Sequence, residues 1–204
     1  MNRSDIVLKG YNRIAEKYLA GRTQDSEDVR LLHRLTDQLP EGARILDAGC
    51  GAGVPIARML SERYDVVGVD FAEAQVKLAR KLVPEARFEC QDMTALDFRN
   101  GMFDAVCSYY AIIHIPRESH ERVFRQFFRV LKPGGLAWLC LGASDVEKDI
   151  HEDYFGVRMH WSHFGAEVNL MLLERNGLKP IWSKLVVDAS WPTSKHLFVL
   201  ARRN

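Results

Sequence analysis

A glycine-rich turn constrains the fold of this chain more than any other feature. Residues 45–60 read ILDAGCGAGVPIARML: an apolar strand-like run ends at an aspartate, three glycines follow at alternate positions, and a helical pattern begins. Glycine accepts backbone conformations that other residues avoid, and its missing side chain lets another group come close. A strand that turns into a helix in this way is typical of open parallel α/β sheets, whose ligands lie beyond the carboxyl ends of the strands.

Apolar runs and helical stretches alternate through the middle of the chain. Parallel strands with crossover helices produce this alternation, and the predicted strands are RILDA, DVVGVD, ARFEC, FDAVCSY and GLAWLCLG. Each is largely apolar, as a sheet covered on both faces requires. Two further runs, KPIWSKLVV and KHLFVLARR, are separated only by DASWPTS, which is too short for a crossover helix. The last two strands should therefore pair antiparallel.

The region before residue 41 is predicted to form two helices. Apolar residues recur there at helical spacing, in one group of Val7, Tyr11, Ile14 and Tyr18 and a second of Val29, Leu32, Leu35 and Leu39. The sequence AGRTQDSED between the two groups supplies a glycine break and capping residues. Later helices are predicted over AEAQVKLARKLV, over ESHERVFRQFFRVL, where LKPGG stops the helix, and over EVNLMLLERNGL.

The composition is that of an ordinary globular protein and argues against several classes. The chain has 204 residues, of which 47% are hydrophobic and 27% charged, and its net charge is +1. No apolar run is long enough to span a bilayer, and mixed charges disfavour nucleic acid as a partner. The four cysteines occur singly, with neither metal-site nor disulfide spacing. The start of the sequence lacks secretory features, so we expect a cytoplasmic protein without membrane partners.

Carboxylates rather than cations surround the glycine turn. Val54 stands where a dinucleotide-binding fingerprint needs its third small residue, and the loop lacks the lysine of a phosphate-binding P-loop. Asp47, Asp70 and Asp92 instead lie at or just beyond the ends of three successive strands. A cationic nucleoside fits these acceptors better than a pyrophosphate does. S-adenosylmethionine has that profile, with an ammonium, a sulfonium, a ribose and an adenine.

Successive motifs of the chain resemble those of the class I S-adenosylmethionine-dependent methyltransferases. They are LDAGCGAG, VVGVD, CQDM, FDAVCSYYAIIHI and RVLKPGG, in the family's order and spacing. The resemblance implies a single Rossmann-like α/β domain over residues 1–204, with a mostly parallel seven-stranded sheet, an antiparallel last strand and helices on both faces. It divides the chain into an N-terminal helical lid (1–40), a cofactor-binding core (41–142) and an acceptor-pocket segment with the C-terminal helix and hairpin (143–204).

The same resemblance implies which residues bind S-adenosylmethionine and its product S-adenosylhomocysteine. The loop would admit the methionine part, Asp70 would accept both ribose hydroxyls, and Asp92 would accept the adenine amino group. Tyr18 would close over the cofactor from the lid. It lies seven residues after Tyr11, a spacing that packing of an amphipathic helix on the core would also give. The predicted cofactor-binding residues are Tyr18, Asp47, Gly49, Cys50, Gly51, Gly53, Asp70, Phe71, Asp92, Met93 and Ser108.

Methyl transfer from a sulfonium is an in-line displacement, so positioning supplies most of the catalysis and a base is optional. Where a proton must leave the acceptor, His114 after the fourth strand is the predicted base; its alternative role is that of a hydrogen-bonded histidine at a helix start. Ser108 and Tyr109, at the end of that strand, would face the sulfonium. Tyr109 is the second predicted catalytic residue.

The segment HEDYFGVRMHWSHF, between the fifth strand and the last long helix, is rich in aromatic residues and histidines. It is predicted to form the acceptor pocket. A metal held by His160 and His163 with His151 or Asp153 is not expected, because the spacing is not a recognised zinc signature. The predicted substrate-binding residues are Tyr154, His160, Trp161 and His163, with Phe164 as a further wall.

A small-molecule methyl acceptor is expected. Methyltransferases acting on nucleic-acid amino groups carry a (D/N)PP(Y/F) motif after the fourth strand, where this chain reads CSYYAI. The residues indicate neither the acceptor atom nor whether the protein is a monomer or a homodimer. Two alternatives stay open. The first is an NAD(P)-dependent oxidoreductase, against which the glycine register argues, and the second is a non-catalytic S-adenosylmethionine-binding module.

Overall fold

The computed structural model describes residues 3–21, 25–189 and 191–204. Seven strands form the main sheet and two form a separate hairpin. The strands in chain order are β1 (Arg44–Ala48), β2 (Asp65–Asp70), β3 (Arg87–Cys90), β4 (Phe103–Ser108), β5 (Leu131–Gly142), β6 (Val146–Tyr154), β7 (Val157–His163), β8 (Leu178–Val187) and β9 (Lys195–Arg203). The helices are α1 (Arg3–Ala20), α2 (Glu27–Arg30), α3 (His33–Thr36), α4 (Ile56–Ser61), α5 (Glu73–Leu82), α6 (His120–Val130) and α7 (Ala166–Arg175).

The order of the main sheet is β3-β2-β1-β4-β5-β9-β8. The first five strands are parallel, and β9 is antiparallel to both β5 and β8. The predicted α/β fold, including the antiparallel last strand, is therefore confirmed. The chain runs from β1 outward to β2 and β3, and then crosses to β4 on the other side of β1. Ligands in open α/β sheets bind at such a reversal, beyond the carboxyl ends of the strands.

Apolar side chains from alternate strand positions form two cores, one on each face of the sheet. Ile45 of β1 belongs to one core and its neighbour Leu46 to the other. Helix α5 covers the first face and α6 the second, where Phe124 and Phe127 are fully buried. Strand β3 lies at the sheet edge, so of its residues only Phe88 is buried, which differs from the expected two-sided burial. No described helix has both the length and the apolar content needed to cross a membrane.

The second predicted helix of the N-terminal region is broken into two single turns, α2 and α3. The backbone N–H of Leu32 donates to the carbonyl of Val29, at 3.1 Å, instead of continuing the ladder to Asp28. The carbonyl of Asp28 accepts the hydroxyl of Tyr109 at 3.1 Å. A tertiary hydrogen bond has thus replaced a helical one at this position, and helical periodicity in sequence does not reveal such a contact.

The predicted acceptor-pocket segment forms an antiparallel hairpin of β6 and β7. Its two-residue turn has positive φ at both central positions, 55° at Phe155 and 90° at Gly156, as tight hairpins require. Helix α1 packs against this hairpin through Val7 and Ile14, which are buried with Met159 of β7. The N-terminal helix and the hairpin therefore share a small apolar core of their own.

Candidate functional site

A cavity of about 160 Å³ lies beyond the carboxyl ends of β1, β2 and β4, beneath helix α1. A smaller adjoining cavity of about 40 Å³ includes Asp47 and Cys50 in its lining, together with two of the loop glycines. The structure thus brings most of the predicted cofactor-binding residues to one place. The predicted residues that line the larger cavity are Tyr18, Gly49, Gly51, Asp70, Phe71, Asp92, Met93, Tyr109 and His114.

The glycine loop leaves no room for side chains at its tip. Gly49 has φ of 78°, and a Cβ atom there would lie 2.2 Å from the Cβ of Ala111. The backbone N–H groups of Gly49 and Cys50 both donate to the carbonyl of Val69, at 2.8 and 3.0 Å. Gly51 has φ of 53° and lies against the cavity. The loop is therefore tied to β2 and presents bare backbone to the cavity.

Asp70 is the fixed carboxylate at the centre of this site. Its Oδ2 accepts from the N–H of Gly51 at 3.0 Å, and its Oδ1 accepts from the N–H of Ala72 at 2.8 Å. Burial raises the pKa of Asp70 to about 6, and the two backbone hydrogen bonds offset only part of that rise. Asp92 is held in a similar way, because its Oδ1 accepts from the N–H of Thr94 at 2.8 Å. Both carboxylates are therefore oriented before any ligand binds.

Gln75 is a cavity residue that the motifs do not point to. Its side chain is 1% exposed, and neither its amide oxygen nor its amide nitrogen has a hydrogen-bond partner among the described residues. The residue lines the larger cavity beside Asp70 and Gly51. A sequence signal existed: Gln75 lies one turn before Ala79, on the buried face of α5, where an apolar residue is normal. A buried amide without partners normally marks a bound water or ligand.

Two of the predicted cofactor-binding residues, Ser108 and Gly53, line neither of these two cavities. The Ser108 side chain is fully buried, and its hydroxyl donates to the carbonyl of Ala48 at 2.7 Å instead of facing the cavity. A Cβ atom on Gly53 would lie 3.1 Å from the ring of Phe88, so this glycine permits close packing behind the loop.

Tyr109 lines the cavity, but its hydroxyl is already engaged. It donates to the Asp28 carbonyl and accepts from Nε1 of Trp138 at 2.8 Å. Burial raises the pKa of this tyrosine well above its ordinary value, so the hydroxyl stays protonated. These contacts indicate a structural role for the Tyr109 hydroxyl, and a catalytic role for this residue stays a prediction.

His114 is held by two hydrogen bonds that define its tautomer. Its Nδ1 lies 2.8 Å from the carbonyl oxygen of His160, which can only accept, so Nδ1 carries the proton. Its Nε2 lies 2.8 Å from the hydroxyl of Tyr11, which must therefore donate. Burial lowers the pKa of His114 to about 4, so the ring is neutral near pH 7. A base role for His114, which stays a prediction, requires Tyr11 on the lid helix to release Nε2.

A second cavity, of about 740 Å³, adjoins the first and lies between α1, the hairpin and the turn joining β8 to β9. The two cavities share Tyr11, Tyr18, Tyr110 and His114 in their walls. Three of the four predicted substrate-binding residues line the second cavity: Tyr154, Trp161 and His163.

The fourth predicted substrate-binding residue, His160, does not line the second cavity. Side chains alternate along a strand, and His160 lies next to Trp161 on β7, so its ring is buried instead. Phe164 also lies outside the cavity, where it packs against His120 at a ring distance of 5.9 Å.

Comparisons with known proteins agree with this geometry. A family described as a methyltransferase domain matches residues 45–135. The 2-methyl-6-phytyl-1,4-hydroquinone methyltransferase of Synechocystis sp. is 41% identical over 106 residues, which are 49% of this chain and 32% of that protein. Trans-aconitate 2-methyltransferase of Variovorax paradoxus is 34% identical over 123 residues, 59% of this chain and 45% of that protein.

A solved structure extends the likeness to nearly the whole chain. The 1,6-didemethyltoxoflavin-N1-methyltransferase of Burkholderia thailandensis, solved with 1,6-didemethyltoxoflavin and S-adenosylhomocysteine, gives a TM-score of 0.74 at 20% identity. The match covers 99% of this chain and 87% of that one.

Residues 45–135 thus match a methyltransferase domain, in agreement with the class predicted from the sequence motifs. The fold of nearly the whole chain is the Rossmann-like fold of the solved methyltransferase. The chain spans less than half the length of the two curated relatives.

Proposed function

We propose that this protein transfers a methyl group from S-adenosylmethionine to a small-molecule acceptor. The observation that carries the proposal is the fixed carboxylate of Asp70 beside the bare glycine backbone, at the point where the strand order reverses. A carboxylate at the end of β2 suits the two hydroxyl donors of a ribose. Among the described residues that line the larger cavity there is no lysine or arginine, which suits a cationic ligand better than a pyrophosphate.

The residues present fit this cofactor, which would supply the methyl group to be transferred. Asp70 would hold the ribose, with the loop backbone at Gly49 and Gly51 against the methionine part. Asp92 would accept from the adenine amino group through Oδ2, which has no hydrogen bond within the described residues. Gln75 adds an amide whose oxygen and nitrogen have no partner among the described residues, and the hydroxyl groups of a ribose held by Asp70 could supply both partners. Tyr18 would cover the cofactor from α1.

The second cavity is the proposed acceptor site. Its volume of about 740 Å³ falls in the range usual for drug-sized ligands. Around it the described residues include one lysine, Lys195, and no arginine, whereas Asp149 and Asp188 add carboxylates. An acceptor with several carboxylates, such as the trans-aconitate of one relative, would be repelled there. The aromatic hydroquinone named for the other relative suits these walls better.

The wall between the two cavities contains the groups that would position the acceptor. Tyr110 and His114 line both cavities, and the rings of His114 and Trp161 lie 5.0 Å apart. Holding the nucleophile in line with the methyl carbon and sulfur supplies most of the catalysis in a displacement of this kind.

Calorimetric titration with S-adenosylmethionine, S-adenosylhomocysteine and NADH tests the proposal. We expect micromolar binding of both adenosyl ligands and no binding of NADH. NADH binding without adenosyl binding would support the oxidoreductase alternative and overturn the proposal. Transfer of radiolabelled methyl into a broad panel of small acceptors separates an enzyme from a non-catalytic binding module, for which we would expect adenosyl binding without any transfer.

Gln75→Leu should raise stability and lower cofactor affinity in the same protein. Leucine removes a buried amide that has no partner among the described residues, which should raise the free energy of unfolding by about 1 kcal/mol. The loss of a ligand hydrogen bond should weaken S-adenosylhomocysteine binding roughly tenfold. Chemical denaturation and calorimetry measure the two effects. Gln91→Leu is the control, because the Gln91 amide is satisfied by Glu89 and the N–H of Asp97, so its loss should lower stability.

A further inference from the structure

An imidazole and a carboxylate lie together in the wall of the acceptor cavity, where β8 turns into β9. Nε2 of His196 is 3.4 Å from Oδ2 of Asp188, and the two side chains are only 10% and 14% exposed. The turn fixes the carboxylate, because Oδ1 of Asp188 accepts from the N–H of Trp191 at 3.1 Å. Contacts in catalytic pairs are often this long before a substrate binds. Asp188 is therefore placed to orient the ring of His196.

The other ring nitrogen of His196, Nδ1, is buried and makes no hydrogen bond with the described residues. Because Nε2 faces a carboxylate, the proton of the neutral ring belongs on Nε2, and Nδ1 carries the lone pair. A buried acceptor that no donor satisfies is costly unless a ligand supplies the donor. The ring lines the acceptor cavity, so an acceptor in that cavity is the ligand that fits.

His196 also lies next to the boundary between the two cavities. Its ring packs edge-on against Tyr110 at a centroid distance of 5.0 Å, and Tyr110 lines both cavities. Tyr110 has φ of 52°, a conformation that a bulky residue rarely adopts and that often marks a functional site. A proton acceptor at His196 is therefore one ring away from the proposed cofactor cavity.

Part of the remaining wall of the acceptor cavity is aromatic. Trp161 lies 5.1 Å from Tyr154, and Tyr154 lies nearly parallel to Trp191 at 6.4 Å, with 28° between the ring planes. Aromatic faces favour planar aromatic ligands by stacking and edge contacts. Three further imidazoles line the cavity, those of His114, His151 and His163. Burial lowers the pKa of His114 and of His163, and each of these two already makes a hydrogen bond through Nδ1 to a backbone carbonyl.

We propose that the acceptor is a planar aromatic compound with an acidic hydroxyl group, and that His196, oriented by Asp188, removes the hydroxyl proton. The inference rests on the proposed function. The O–H bond breaks and its proton bonds to Nδ1, leaving the electron pair on oxygen. That pair forms the bond to the methyl carbon as the carbon–sulfur bond of the donor breaks and its pair stays on sulfur. His196 then returns the proton to solvent. This assignment replaces His114 as the base.

Nitrophenol tests the proposal without relying on turnover, because its phenolate absorbs visible light and its phenol form does not. The absorbance of bound nitrophenol is measured one pH unit below its own pKa, with S-adenosylhomocysteine present, and binding is followed separately by tryptophan fluorescence. Free nitrophenol is then about one-tenth phenolate. We expect about half of the bound compound to be phenolate in the wild-type protein. In His196→Gln and Asp188→Asn this fraction should return to about one-tenth, with binding retained.

His151→Gln is the matched variant, because His151 also lines the cavity and pairs with a carboxylate, Asp149, at 3.1 Å, but is half-exposed. It should weaken binding through its lost contact with Trp161 and leave the phenolate fraction raised. If the phenolate fraction stays raised in His196→Gln but not in His114→Gln, His114 is the base and the assignment to His196 is overturned. Failure of nitrophenol to bind, or binding with an unchanged fraction, would also overturn it. Failure of S-adenosylhomocysteine to bind would instead contradict the proposed function.

Discussion

Replacement of Asp70 by alanine should weaken the binding of S-adenosylmethionine and S-adenosylhomocysteine at least about a hundredfold. The carboxylate is the proposed acceptor for two ribose hydroxyls, and hydrogen bonds to a charged group contribute roughly 1.5–3 kcal/mol each. The variant also removes the acceptor for the N–H of Gly51, which lies 3.0 Å from Oδ2, so the glycine loop loses a tie to β2. Calorimetric titration measures the loss. The alanine variant must first show a cooperative unfolding transition, which separates lost affinity from lost fold.

Asp65→Ala is the matched control, because Asp65 lies at the opposite end of the same strand and forms exposed ion pairs with Arg44 and Arg87. Its affinity for the adenosyl ligands should be unchanged. Equal affinity of Asp70→Ala and the wild-type protein would contradict the assigned site.

The raised pKa of Asp70 adds a pH signature. Because that pKa is about 6, adenosyl affinity should fall up to tenfold per pH unit below pH 6, as the acceptor becomes protonated. In Asp70→Asn this dependence should disappear. The stability of the ligand-free protein should depend on pH in the opposite direction. The native state holds the proton of Asp70 more tightly than the unfolded chain does, because the pKa is raised in the native state. The contribution of Asp70 to the free energy of unfolding is therefore greatest below about pH 4 and is lost as the pH rises through 6.

Gly49→Ala should destabilise the protein by about 2–5 kcal/mol and prevent adenosyl binding. The substitution combines two costs, a positive φ for a residue with a side chain and overpacking against a neighbour. A Cβ atom on residue 49 would lie 2.2 Å from the Cβ of Ala111 and 3.0 Å from Cε of Met93. Both neighbours belong to the wall of the cofactor cavity, so any shift that relieves the contact also displaces that wall. Urea denaturation and calorimetry measure the two effects.

Gly42→Ala separates the two costs. Gly42 has φ of 71°, close to that of Gly49, but a Cβ atom there would meet nothing within 4 Å. This variant should lose only about 1 kcal/mol, from backbone strain alone. Similar losses of stability in Gly49→Ala and Gly42→Ala would contradict the prediction. They would show that the loop containing Ala111 moves at little cost, and that crowding against Ala111 does not require glycine at position 49.

The sheet and the position of the cofactor cavity can be predicted because each strand, and the residue that ends it, is recognisable from a short stretch of sequence. Each strand was visible as an apolar run. Asp70 was visible because it ends such a run, and parallel strands bring their carboxyl ends together. The hairpin of β6 and β7 was not assigned, although FG between two polar-alternating stretches is a two-residue turn signal. The turn is hard to recognise from the sequence because Phe155 occupies its first central position, and an aromatic residue is unusual at a positive φ.

Long-range partners account for what the sequence did not predict. The sequence does not reveal that the hydroxyl of Tyr109 is engaged by the carbonyl of Asp28 and the indole of Trp138, both of which are distant in the chain. His196 lies in the apolar run of β9, where it looked like one member of an ordinary strand. Only the turn between β8 and β9 brings Asp188 to its ring. The place of Gln75 on the buried face of α5 can be read from the sequence, but the lack of a partner for its amide among the described residues cannot.

Helix α1 forms part of the wall of both cavities, since Tyr11 and Tyr18 line each of them. The same helix packs on the hairpin that forms the far side of the acceptor cavity. On the proposed function, the acceptor compartment is complete only when α1 is docked, and the nucleoside lies beneath that helix. On that proposal, the two substrates would bind in a compulsory order, in which the nucleoside enters before the acceptor and leaves after the methylated product.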